Sequence, residues 1–154
     1  MNTLVPLLTT TEGRISRRTW WFGVVILLIA SILLNIVLRT LGLNDAWGQL
    51  VAYVIMFVPN WSLGIKRRHD RDSDARDFKI FMGLSGVLAL VQALGIGMSS
   101  SDVAGTTMST PSFPLAIVFF AAAIYGLYII IQLGFLRGTT GSNTYGPDPL
   151  DGAA

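Results

Sequence analysis

Four stretches of the chain, Thr19–Leu38, Ala46–Ile65, Ile80–Ser101 and Phe113–Leu136, contain no Asp, Glu, Lys or Arg. They run to 20, 20, 22 and 24 residues. The 68 residues outside them hold all 20 charged residues, a density of 29%, close to the roughly 25% of an ordinary soluble domain. Charge is therefore partitioned along the chain rather than scarce throughout it. A helix rises about 1.5 Å per residue, so about 20 residues cross the roughly 30 Å hydrocarbon core of a bilayer. A spanning strand needs only about 10 residues of alternating polarity, and Trp21–Leu38 has no such alternation. A helix satisfies its own backbone polar groups in lipid. The pattern predicts an all-α integral membrane protein with four transmembrane helices, at about 19–38, 46–65, 80–101 and 113–136, in a single membrane domain over 1–154.

The first apolar run has a basic flank, as a signal peptide does, but it is longer than the usual 7–15 residues and lacks a small-residue cleavage pattern. It is read as retained. Lys and Arg near helix ends favour the cytoplasm. An N-terminus in the cytoplasm brings the C-terminus back to the same side after four crossings. Ten of the 11 basic residues then face inward, and Arg39 alone faces out. The expected location is a bacterial inner membrane. The segment between residues 41 and 45 is a tight external turn. Residues 98–112 are a polar, Ser/Thr-rich external loop without a basic residue, expected to be mobile. The tail 138–154, rich in Gly and Pro, is expected to be an irregular cytoplasmic segment. Trp20, Trp21, Trp61 and Phe78 suit one membrane interface and Trp47 the other.

Small residues let helices approach in lipid. Ser85, Ala89, Ala93 and Gly97 form a stripe at spacing four on the third helix, and Ala122 and Gly126 begin another on the fourth. Both stripes are expected to face protein, and they offer a route to self-association. Pro59 lacks a backbone donor and should kink the second helix, with Asn60 beside it to satisfy the freed carbonyl. Asn35, Gln49, Gln92 and Gln132 are further amides at membrane depth. They read either as interhelical hydrogen bonds or as the lining of a polar pathway.

Three motifs lie at the charged ends of the spans: Gly13-Arg14-Ile15-Ser16-Arg17-Arg18-Thr19-Trp20-Trp21, then Lys66-Arg67-Arg68-His69-Asp70, then Gly138-Thr139-Thr140-Gly141-Ser142-Asn143-Thr144-Tyr145-Gly146-Pro147-Asp148-Pro149. In this order around four spans, they resemble the bacterial inner-membrane family known as domain of unknown function 805. The resemblance runs from about Gly13 to Pro149 and implies a small inner-membrane protein, with no activity attached. After His-Asp the family continues into Ser-Gly and Trp. Here the chain reads Ser73-Asp74-Ala75-Arg76-Asp77-Phe78, a more charged loop.

The topology would bring Arg14, Arg17, Arg67, His69, Asp70, Asn143, Tyr145 and Asp148 to one cytoplasmic surface. One reading is a salt-bridged cap, with Arg14 or Arg17 paired to Asp70 or Asp148. The other is a site for an anionic lipid headgroup or phosphate, with Arg as the bidentate donor. With no Cys and one His, no metal site or cofactor is expected. The Asp70, Asp72, Asp74 spacing resembles a calcium loop, but Ala75 and Phe81 stand where Gly and Glu are required. A 14-residue basic loop has no room for a reader of nucleic acid. His69 and Asp70 would be the base and orienter of a membrane enzyme, although adjacent residues rarely face each other. The sequence therefore favours a non-enzymatic scaffold or accessory that contacts membrane lipids, anionic ones included, or another membrane protein at its cytoplasmic face, with self-association. The alternative is a small oligomeric transporter or channel lined by Asn and Gln.

Overall fold

Local chemistry sets most helix ends. In the computed structural model, which describes residues 4–103 and 106–151, a short helix α1 (Leu4–Thr9) precedes α2 (Arg17–Thr40), α3 (Asp45–His69) and α4 (Arg76–Ala93). Strands β1 (Met98–Val103) and β2 (Thr106–Pro111) follow, then α5 (Phe113–Ile130), which continues as a π-helical turn, Ile131–Phe135. Ser16 opens α2 by accepting from the Thr19 N–H at 3.2 Å. Asn44 does the same for α3 from the Trp47 N–H at 2.9 Å. Such caps satisfy backbone donors that a helix start leaves orphaned. Gly42, at φ +85°, ends α2: its N–H donates to the Arg39 carbonyl and the Leu43 N–H to Leu38. Asp72 and Gly95 end α3 and α4 with the same reciprocal pattern, the left-handed stop that favours glycine.

Three helices are long and apolar enough to cross a membrane: Arg17–Thr40, Asp45–His69 and Phe113–Phe135. The third of the expected spans is corrected. α4 stops at Ala93, not at residue 101, and carries Arg76, Asp77 and Lys79 in its first turn. Gly97 is therefore not on the helix. It sits at φ +67° in the turn beyond it, against Leu115 at the start of α5. The absence of charge continued past the helix because Gly, Ser and Thr are uncharged in turns and strands as well. The fold is mostly helical rather than wholly so: residues 98–103 and 106–111, in a loop expected to be mobile, pair as antiparallel strands, Met98 with Pro111 and Ser100 with Ser109. The sequence readings of the polar segment at 104–105 and of the tail at 152–154 lie outside the described residues.

The helices pack in chain order, α2 on α3, α3 on α4 and α4 on α5. α4 runs antiparallel to α3. Phe78 packs on Gly64 at one end, while Tyr53 packs on Gly86 and donates to the Met82 carbonyl nearer the other. It runs antiparallel to α5 as well, with Phe81 against Gly126 and Gly97 against Leu115. Of the small-residue stripes, Ala93 is buried, Ser85, Ala89 and Ala122 are half-buried, and Gly126 meets the Phe81 ring. The core gathers at the basic end of the bundle, around Trp20, Leu63, Ile65, Phe78, Met82 and Leu133. Trp20 and Phe78 are therefore core residues rather than interface anchors, while Trp21 keeps 39% exposure. α3 runs through Pro59, and Asn60 donates to the Met56 carbonyl at 2.8 Å, one residue beyond the carbonyl that proline frees.

The close approach of α3 and α4 depends on glycine. A Cβ on Gly64 would lie 2.1 Å from the Phe78 ring, whereas one on Gly83 would meet nothing within 4 Å. Thermal melting in detergent should therefore show a clear loss for Gly64→Ala and none for Gly83→Ala. Equal effects would mean that this contact does not set the helix spacing.

Candidate functional site

The basic end is built around one carboxylate. Asp70 follows the last turn of α3 and is 4% exposed, between two arginines from different parts of the chain. Arg14, in the segment before α2, donates from Nε and Nη2 to Asp70 Oδ1 at 3.2 and 3.1 Å. Arg67, one turn before Asp70 and wholly buried, donates from Nη1 to Oδ2. Both carboxylate oxygens are thus held by guanidinium groups. Two cations on one anion leave excess positive charge in a buried place, and main-chain carbonyls take it up. Arg14 donates to Gly141 and Thr139 at 2.7 Å each and to Gly146 at 3.2 Å. That occupies all five donors of its guanidinium. Arg67 Nε donates to the Leu133 carbonyl at 2.6 Å and its Nη2 to Leu136.

The π-helical turn explains why so many donors collect here. A helix end leaves its final carbonyls without intrahelical partners and with partial negative charge. Side chains from the other helices reach five of them in sequence. Arg71 donates to Gln132 at 3.4 Å, Arg67 to Leu133 and Leu136, Trp21 Nε1 to Gly134 at 3.2 Å and Arg17 to Phe135 at 3.0 Å. Arg17 and Trp21 are four residues apart, so they lie on one face of α2. Gly134 permits the approach, since a Cβ there would lie 2.7 Å from the Trp21 ring.

The tail folds back over this centre. The Thr139 N–H and hydroxyl donate to the Asp70 carbonyl at 2.8 and 3.2 Å. Asn143 donates to the His69 carbonyl at 2.9 Å and pairs with Gly146 in a short bridge. The Tyr145 ring stacks on the His69 imidazole at 3.8 Å and 5°. His69 Nδ1 lies 3.3 Å from the Gly13 carbonyl, an acceptor, so Nδ1 carries the proton in that contact. Asp148 accepts from the Leu150 and Gly141 N–H groups at 3.0 Å each. Gly138 must be glycine, because a Cβ would lie 2.0 Å from Asp70 Oδ2.

All eight residues singled out in the motifs therefore lie in one assembly. Arg14 pairs with Asp70; Arg17 meets neither Asp70 nor Asp148 and holds Phe135 instead. Two clusters were not anticipated. Arg68 pairs with Asp77 at 2.9 Å and donates to Gln132 Oε1 at 3.1 Å, where Arg71 also donates. Lys66 and Ser62 donate to carbonyls at the end of α1, among them Leu7 at 3.1 and 2.8 Å. The signal for both was the charge run at 66–77. Charge alone does not say which side chains turn inward. The charged loop is divided in the same way. Asp74 and Arg76 pair in solvent, while Ala75 is fully buried at φ +61°.

The family model described as a protein of unknown function, DUF805, matches residues 8–147, a range that holds the first two motifs, the third as far as Pro147, and the Arg14–Arg67–Asp70 centre. The chain belongs to this family. Inner membrane protein YhaI of Escherichia coli, found in two strains, is 26% identical over 142 residues, covering 92% of this chain and 87% of the relative. No solved structure gives a significant match. With its apolar helices, the chain is a multi-pass bacterial inner-membrane protein.

Two outcomes test the centre. Removing one partner of a buried ion pair costs about 3–5 kcal/mol, because a charge stays buried without compensation. Asp70→Asn should lower stability by about that amount in thermal or denaturant unfolding. Arg17→Ala, which removes one exposed hydrogen bond, should cost about 1 kcal/mol. Equal losses would show that the carboxylate is not the centre.

Asp148 supplies a pH dependence. The Leu150 N–H, more than that of Gly141 or the charges of Arg14 and Arg137, holds its carboxyl below the usual value, with partial desolvation opposing. Its contribution is thus complete above the unfolded-state pKa of about 4. It is lost as pH falls through the lower folded-state value. Protection of the Gly141 and Leu150 amides, measured against their intrinsic exchange rates, should fall on that acid side, and Asp148→Asn should remove the acid step.

Proposed function

We propose that this chain is a four-span accessory or scaffold protein of the inner membrane, without catalytic activity, with both termini in the cytoplasm. Its three motifs form a structural cap that leaves a basic surface for anionic lipid or a membrane partner. The observation that carries this reading is the donor inventory. Arg14 has no N–H left over, and Arg67 is enclosed by Asp70, Leu133 and Leu136. A phosphate would have to break the fold to reach either one. Arg18, Lys79 and Arg137, by contrast, are exposed, and their side chains make no ion pair or hydrogen bond among the described residues. They stand at the same end of the bundle, where each charge near an anionic leaflet contributes about 1 kcal/mol.

The four-span reading rests on the antiparallel course of α4. It lies along α3 from Phe78 at Gly64 to Gly86 at Tyr53, and the turn that follows it meets the start of α5 through Gly97 and Leu115. A helix that shares both ends with its neighbours shares their thickness. The orientation rests on the basic bias, ten residues at one end against Arg39 at the other.

Reporter fusions test the topology. Alkaline phosphatase should be inactive at residue 151 and active when inserted near residue 104, and a fluorescent protein at residue 151 should fold. The reverse pattern refutes the four-span topology with its C-terminus in the cytoplasm, and like results at both sites refute the crossing of α5. For the surface, native mass spectrometry of the Arg18→Ala, Lys79→Ala, Arg137→Ala triple variant should show less retained phosphatidylglycerol at unchanged melting temperature. Retention equal to the unaltered protein would remove the lipid contact.

A further inference from the structure

The end of the bundle away from the cap is built differently. α2 and the last helical segment pack together chiefly through the π-helical turn, where Gly134 meets Trp20 and Trp21. Beyond that level, a cavity of about 530 Å³ lies among α2, α3, α4 and α5 and opens to the side. Its volume falls within the roughly 300–1,000 Å³ of small-molecule sites. No Asp, Glu, Lys, Arg or His lines it. Asn35, Gln49 and Gln92 stand at the far end of the lining and Met56, Phe57 and Leu88 nearer the cap, where the polar Ser31, Asn60 and Ser85 are bonded to carbonyls of their own helices. From Gln49 to Phe57 the helix rises about 12 Å.

The amides differ in what they bond. Asn35 donates to the Ser31 carbonyl of its own helix at 2.8 Å. Gln132, at the cap, accepts from two arginines. The side chains of Gln49 and Gln92 make no hydrogen bond among the described residues, although both line the cavity. Gln92 is half-buried and Gln49, one turn into α3, is exposed; an amide that faces hydrocarbon without a partner costs free energy that an interhelical bond or a ligand would recover. The two glutamines together offer two acceptor oxygens and four N–H donors, a set without net charge.

We propose that this cavity binds one uncharged amphiphile from the leaflet away from the cap. Its hydroxyl, ester or amide head bonds to Gln49 and Gln92, and its hydrocarbon lies along Met56, Phe57 and Leu88. A neutral head is selected because nothing in the lining compensates a charge. Arg39, the one basic residue at that end, is already paired with Asp45 at 3.1 Å. The inference is independent of the cap and of the basic surface, which lie at the opposite end.

Photolabelling of the full-length protein in nanodiscs tests it. One probe is a diacylglycerol with a diazirine in its acyl chain; the other is phosphatidylglycerol with the same chain. The diacylglycerol should mark peptides holding Met56–Phe57 and Leu88 in preference to the phospholipid. Gln49→Leu with Gln92→Leu should reduce that labelling about tenfold, the factor two neutral hydrogen bonds supply. Ala89→Phe, which fills the space without touching the amides, should abolish it, so the reading survives if the double variant does not fold. The proposal is overturned if both probes label alike, if neither labels the lining, or if the Gln pair or Ala89→Phe leaves labelling unchanged. Protein–protein cross-links between the lining residues of two copies would also overturn it, by showing that a second copy fills the cavity.

Discussion

The pairing of one buried carboxylate with two buried guanidinium groups organises this molecule. Asp70 comes from the end of α3, Arg14 from the segment before α2, and the carbonyls that complete Arg14 come from the tail. The charge triad gives these segments a fixed register. A buried ion pair often adds little net stability over a hydrophobic replacement, because desolvation offsets much of the Coulomb gain. Here its effect is positional. It sets which loop lies over which helix end, and breaking it leaves a charge with nowhere to go.

The second constraint is the exposed dipole of a helix end. The π-helical turn widens the last part of the α5 segment, and its carbonyls face the basic residues of α2 and α3. Positive charge near a helix C-terminus is favourable, so residues that a topology rule places at one membrane face also close the bundle there. The same arginines thus have two roles. Those with partners inside shape the cap, and those without remain as surface charge.

The two ends consequently have different character. Among the described residues, Arg68 Nε at the basic end is the one buried side-chain polar atom without a partner. At the far end the helices separate around a cavity whose Gln49 and Gln92 side chains make no hydrogen bond among the described residues. Rigidity at one end lets the other stay open, because the hairpin and the cap fix the helices without filling the space between them.

Helix positions were legible to within a few residues wherever absence of charge and helical structure coincide, as in α2, α3 and α5. The rule failed at residues 94–101, where Gly95 and Gly97 stop the helix while the sequence stays uncharged. The motif residues were legible as a group, since two of the three flank the charge-free windows and the third forms the tail. The sequence by itself determined the membrane setting, the split of charge between ends and the inventory of donors and acceptors. These follow from composition along one dimension. The tertiary structure alone decided which arginines turn inward, which carbonyls they meet and which amides stay unpaired. Those outcomes depend on distances of about 3 Å between segments up to 132 residues apart, and helical periodicity carries no information on that scale.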